Sequence, residues 1–141
     1  MDRAEEIIQE LVAIAGSLDE NIPVELDRRY DLDEDQDLPI VIVRSGDEEA
    51  APPSGAIQAV FDRRWVMSPE VHVFFKAPTS QQRAEVNRLW AEFRRRFSES
   101  RILELISSGS LPEVRRTLIA PADETDIAGF VVELGLTFDR A

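Results

Sequence analysis

The sequence predicts an α+β fold: a small, mostly antiparallel or mixed β-sheet with two main helices packed on one face. Three observations predict it. Residues 2–18 and 79–98 carry apolar side chains at three- and four-residue spacing, the period of a helix with one buried face. Residues 40–43, 60–77, 113–119 and 127–138 are β-branched runs or alternations, the pattern of strands. Strands outnumber helices and are joined mostly by short polar turns, which favours an antiparallel sheet with the helices gathered on one side. With 141 residues, 43% of them hydrophobic, the chain has the length and apolar content of a single domain spanning 1–141.

In the first helix, Ile7, Ile8, Leu11, Ile14, Ala15 and Leu18 form the apolar stripe, with Glu5, Glu6 and Glu10 opposite. Asp2, Glu5 and Glu6 suit the positive end of the helix dipole, and Gly16 lies near the expected stop. Residues 22–29 predict a short edge strand, followed by the polar loop YDLDEDQDLP and the buried strand Ile40–Val43. Clustered Gly, Pro and Ser predict a loop or mobile hairpin tip over about 46–58. In the long strand 60–77, Trp65, Met67, Val71, Val73 and Phe75 share one face; Pro69, which cannot donate to a ladder, predicts an edge position or a bulge. Thr79 and Gln82 fit a reciprocal cap for the second helix, whose stripe is Val86, Leu89, Trp90, Phe93 and Phe97. A turn or two of helix, RILELISS, precedes Gly109. The closing strand alternates, with Phe130, Val132, Leu134, Leu136 and Phe138 inward.

Composition excludes several chemistries. There is no cysteine, hence no disulfide scaffold, thiol nucleophile or iron–sulfur cluster, and one histidine makes a poor metal site. No cofactor is expected. The acidic N-terminus is unlike a signal peptide, and no apolar run approaches the roughly 18 residues of a membrane span. A soluble protein made in a cytoplasm is expected, with no membrane partner. The net charge of -12 opposes binding to nucleic acid. That charge is uneven: residues 1–62 hold 17 acids and 4 bases (net -13), and residues 63–141 hold 11 acids and 12 bases (net +1). Fifteen of the 16 basic residues are Arg, which suits forked contacts at interfaces and equally follows from a GC-rich genome.

Several motifs point elsewhere and fail on inspection. Asp31, Asp33, Asp35 and Asp37 alternate like the start of a calcium loop, but Gln36 and Ile42 stand where the loop needs Gly and Glu. The segment reads as a solvated loop or as a negative surface. Arg94, Arg95 and Arg96 lie among aromatic residues, but those aromatics sit at helical spacing and form a core face. With Arg83 and Arg88 the arginines make the exposed face of that helix. His72 lies on the polar side of a strand with no serine motif beside it, and the six glycines are too scattered for a phosphate loop. No catalytic residue is assigned.

The order of elements resembles the lambda-type tail terminator family of long flexible-tailed bacteriophages. The resemblance rests on the opening amphipathic helix, on DLPIVIVRSGDEE entering a charged loop, and on WVMSPEVHVFFKAPTSQQ running into a helix. ISSGSLPEVRRT and the alternating GFVVELGLTFDRA complete it, so it covers about residues 2–140. It implies a structural virion protein without catalytic residues, forming a hexameric ring on the head-proximal end of the tail. Such a ring stops polymerisation of the tail tube protein, meets a head completion or connector protein, and lets genomic DNA pass without sequence-specific binding. A ring needs two complementary patches, and the polarised charge supplies candidates: Arg83, Arg88, Arg94, Arg95 and Arg96 against Asp31, Asp33, Asp35 and Asp37 of the next copy. Asp47, Glu48, Glu49, Arg63 and Arg64 are candidates for contact with the tube or connector. The alternatives are another connector, neck or tail-completion protein, an acidic DNA mimic, and an enzyme depending on His72.

Overall fold

The computed structural model describes residues 1–28, 38–51, 64–119 and 126–140. Its elements run α1 (Arg3–Ser17), β1 (Val24–Leu26), β2 (Ile40–Arg44), β3 (Glu48–Ala50), β4 (Arg64–Met67), β5 (Glu70–Lys76), α2 (Thr79–Ser98), α3 (Ile102–Leu105), β6 (Glu113–Ile119) and β7 (Ile127–Asp139). The architecture is α+β, with one mixed sheet of seven strands.

The sheet is organised around β7. Its 13 residues pair antiparallel with β5 and then with β4 at one constant offset, from Lys76↔Ile127 through Glu70↔Glu133 to Met67↔Leu136 and Arg64↔Asp139. Strands β4 and β5 are therefore collinear along one side of β7. Across the Ser68–Pro69 break the ladder continues through the amide of Leu134, which donates to the carbonyl of Pro69 at 3.0 Å. The single long strand expected over 60–77 is thus two short ones in a common register, and Pro69 interrupts an interior position, where its carbonyl still accepts.

Strands β2 and β3 lie on the other side of β5 and β4. From Arg44↔Glu70 to Glu48↔Met67 one strand advances four residues and its partner three, so β2–β3 carries one extra residue, a bulge. Gly46 sits in it at φ +69, a conformation that favours glycine, and a Cβ there would lie 2.0 Å from the carbonyl oxygen of Ser68. The loop expected over 46–58 accordingly contains a strand, Glu48–Ala50. Its three residues are all exposed, so no alternation of burial marks it in the sequence. Among the described residues the outermost strands are β1, parallel to β2, β3, which pairs only with β4, and β6, antiparallel to β7.

All three helices contribute to one core on one face of the sheet. Ile7, Leu11, Leu89, Phe93 and Ile102 meet Val41, Val43, Val71, Val73, Phe130, Val132, Leu136 and Phe138 in a single cluster. Fully burying each such side chain stabilises by about 1.5–3 kcal/mol, which is why the periodic apolar positions set both helices. The capping box expected at Thr79 and Gln82 does not form. Pro78 is the N-cap and Thr79 is already helical, so Gln82 folds back and donates to the carbonyl of Ala77 at 3.0 Å. The opposite face carries a smaller cluster of Ile40, Ile42 and Phe74 with Leu38 against it. It is partly apolar where the sequence alone predicted a polar face.

Candidate functional site

The exposed face of α2 holds the predicted arginines, and the helix itself engages most of them. Arg88 forks onto Glu85 and reaches Asp19, at the end of α1, at 3.2 Å. Arg96 meets Glu92 at 3.0 Å, and Arg95 meets Glu92 and Glu99. These are i, i+3 and i, i+4 pairs. Their consequences are consistent: hydrogen bonds from Arg95 and Arg96 hold the Glu92 carboxyl below its ordinary range, and Glu85 and Glu92 raise Arg88 and Arg95. The Asp19 carboxyl is also held low, first by the amide of Asn21 and then by Arg88. The face is therefore charge-laced rather than uniformly basic. Glu85, Glu92 and Glu99, at legible spacings, were the signal for it. Arg83 is exposed on the same helix.

Arg94 behaves differently. Its guanidinium lies 5.6 Å from the ring centroid of Trp90, and Arg116 of β6 lies 5.4 Å from the same ring. Trp90 also stacks on Phe93 (5.8 Å) and meets Phe130 edge-on (6.1 Å). Trp90 thus belongs half to the core and half to a cationic surface where α2 approaches β6. Sequence periodicity assigned it wholly to the core, because Arg116 approaches from a distant strand.

Of the other predicted residues, Asp31, Asp33, Asp35, Asp37 and Arg63 lie outside the described residues. Asp47 is in the bulge, where its carbonyl accepts from the amide of Ser68 at 3.0 Å. Glu48 is drawn into a rim clasp that sequence reasoning missed. Arg140 donates to Asp2 at 2.9 and 3.0 Å and to Glu48 at 2.8 Å, and its guanidinium lies 4.8 Å from the Trp65 ring and 5.1 Å from that of Phe138. One arginine joins the start of α1, β3 and the end of β7. Its hydrogen bonds hold the Asp2 carboxyl below its ordinary 3.8. Glu49 is exposed in β3 opposite Val66, and Arg64 pairs with Asp139 at 3.1 Å.

His72 is 5% exposed, opposite Ile42 and Val131 on the sheet face away from the helices. Its Nε2 lies 3.1 Å from Oε1 of Glu70. Burial pushes the imidazole below its ordinary 6.5, against the opposing pull of Glu70. Nearby, an open cleft of about 400 Å³ is lined by Asp27, Arg44, Gly46, Asp47, Ser68 and Glu70. Among the described residues no group of three or more His, Asp or Glu side chains is placed to hold a metal ion.

Among the described residues no helix is long and apolar enough to cross a membrane. No protein-family model matches the chain, and no curated protein matches it significantly.

Proposed function

We propose that this chain is a structural virion protein of the tail-terminator kind: a ring-forming subunit that caps the tail tube and presents a surface to the head or its connector. The observation that carries this reading is the order of elements. An amphipathic helix, a proline-led strand entering a charged segment, two collinear short strands feeding a long helix and an alternating terminal strand fold as one sheet with helices on one side. The uneven charge, net -13 over residues 1–62 and net +1 over residues 63–141, adds support as a source of unlike patches, although Asp2, Asp19 and Glu48 already meet Arg140 and Arg88 within the copy. An acidic conduit also suits DNA that must slide without sticking.

The experiment adds the purified protein to growing tail tubes and measures tube length by electron microscopy, with native mass spectrometry of the protein alone and on the tube. Capped tubes of arrested length, with several copies per end, are expected. Tubes that grow unimpeded in excess protein overturn the reading. Binding to the connector without capping the tube assigns the protein to the neck instead. Triple reversal of Arg94, Arg95 and Arg96 to Glu tests the electrostatic part: assembly should weaken most at low salt, where screening is least.

A further inference from the structure

Two of the sheet's outer strands, β1 and β6, are complementary in backbone, side chain and net charge. The ladder fixes which backbone groups face outward. Leu134 donates to Pro69, so even-numbered residues of β7 turn their peptide groups toward β4 and β5, and odd-numbered ones turn theirs toward β6. In β6 the partners of those odd residues are Glu113, Arg115, Thr117 and Ile119. Val114, Arg116 and Leu118 therefore point their N–H and C=O groups away from the sheet. At the other edge, Val41 donates to Pro23 and Asp27 donates to Val43, so β1 spends its odd-numbered groups on β2. Val24 and Leu26 point theirs outward. Among the described residues no strand pairs with either outer rim.

Exposed apolar surface collects at these same rims. Six large apolar side chains are exposed among the described residues, and four belong to the edges: Leu26 (49%) on β1, and Leu111 (84%), Val114 (45%) and Leu118 (58%) on or beside β6. A sheet edge that stays single is usually blunted by charged side chains, proline or a bulge; β6 has no proline or bulge within Glu113–Ile119, and its charges are Glu113, Arg115 and Arg116. The net charges are opposed: β1 carries Glu25, which Arg28 of the same copy also meets at 3.0 Å, with Asp27 beside it, and β6 carries Arg115 and Arg116 against the single acid Glu113.

Direction agrees as well. Strand β1 runs with β2, against β5, with β7 and against β6. A sheet continued from one copy to the next would therefore join β6 to β1 antiparallel. Val24 and Leu26 are paired with Val41 and Val43 of the helix-side core, and Val114 and Leu118 stand opposite Leu134 and Phe130 of the same core. In both rims the outward peptide groups thus belong to residues whose side chains face the helix side.

We infer that copies of this chain join edge to edge, the outer rim of β6 pairing antiparallel with the outer rim of β1 on the next copy. One register satisfies all the constraints. Leu26 stands opposite Val114 on the helix side, Val24 opposite Arg116, and Glu25 opposite Arg115 on the other face. This heterologous contact deepens the ring reading above, on which it rests, and replaces an unspecified charge attraction with a defined strand pair.

The absence of native cysteine makes the test direct. Glu25→Cys with Arg115→Cys in one chain places two thiols at a non-hydrogen-bonded cross-strand pair, about 4.5 Å between Cα atoms and within reach of a disulfide. The two sites lie on opposite edges of the same copy, so a bond between them links copies. Mild oxidation of concentrated protein at low salt should give a ladder of trimers and larger species, whereas each single variant stops at dimers. The shifted pair Glu25→Cys with Thr117→Cys should link at least several-fold less. No ladder, or equal ladders from both pairs, overturns the inference. A second arm covers poor folding of the cysteine variants: Arg115→Glu or Glu25→Arg alone should weaken association about tenfold in sedimentation at low salt, and the two together should restore it. Failure of the swap to restore association likewise counts against the strand pair. A ladder without tube capping upholds the edge contact and rejects the terminator reading; capping without a ladder does the reverse.

Discussion

Replacing Gly46 by Ala tests the bulge that sets the hairpin of β2–β3 and β4–β5. Two costs add at this position. A left-handed backbone costs an L-residue roughly 1–2 kcal/mol. The new Cβ would also stand 2.0 Å from the Ser68 oxygen, where ordinary contact begins near 3.4 Å, so the strands must part by about 1.4 Å (3.4 less 2.0). That movement strains the 3.0 Å bond from the amide of Ser68 to Asp47, worth roughly 0.5–1.5 kcal/mol. The expected loss is about 1.5–3.5 kcal/mol, the sum of the two ranges. Gly109→Ala is the internal control: φ is +82 there, but no atom of the described residues lies within 4 Å of the added carbon, so only the backbone cost of roughly 1–2 kcal/mol applies. Urea denaturation followed by tryptophan fluorescence gives both values, with the midpoint shifting and the slope unchanged. If Gly46→Ala is no more destabilising than Gly109→Ala, the account of the bulge is wrong.

Three further outcomes follow from the packing and the charges. Phe130→Ala removes a fully buried ring that meets Trp90 edge-on; it should cost about 3–5 kcal/mol and alter Trp90 emission, and a loss under about 2 kcal/mol in the same urea assay contradicts its central placement. His72 has a folded pKa below 6.5, so the unfolded chain binds the extra proton first, and stability should fall as pH drops through about 6.5 toward the folded value. His72→Gln should flatten that step in denaturation midpoints compared between pH 7.5 and 5.5; an unchanged slope in the variant assigns the step elsewhere. Arg140→Ala should cost about 1 kcal/mol near neutral pH, the scale of an exposed ion pair with a cation–π contact. Because Asp2 is held below its ordinary 3.8, its share is complete above that pH and is lost on acidification through the folded value, so the difference between variant and parent should narrow in acid to what the contacts with the Trp65 and Phe138 rings retain.

The proposals for assembly differ in what they require. The electrostatic pairing read from sequence asks the arginines of α2 to meet a neighbour's acids, yet Arg88, Arg95 and Arg96 already hold Glu85, Glu92 and Glu99 within the same helix. Such a face contributes screening and selectivity more than attraction. Among the described residues the rims of β1 and β6 have backbone groups without a strand partner and exposed apolar side chains, the features on which the proposed strand pair rests, while Glu25, like the α2 arginines, also has a partner in its own copy.

The sequence by itself determined the elements and their buried faces. Periodicity placed α1, α2, β2 and β7 within a few residues, because burial on a single side imposes a period that local composition records. It also located the charge imbalance and, through the spacing of Glu85, Glu92 and Glu99, the lacing of α2. It did not determine the bulge at Gly46, the strand β3, the second apolar cluster around Phe74, or the clasp of Arg140 on Asp2 and Glu48. These depend on residues far apart in the chain meeting at one point, and local pattern carries no record of such distances. The identity of the sheet edges is of the same kind. Residues 22–29 read as an edge strand, as β1 is, but nothing in the residues of β3 or β6 places them outermost; strand order decides that, and with it which backbone groups face away from the sheet.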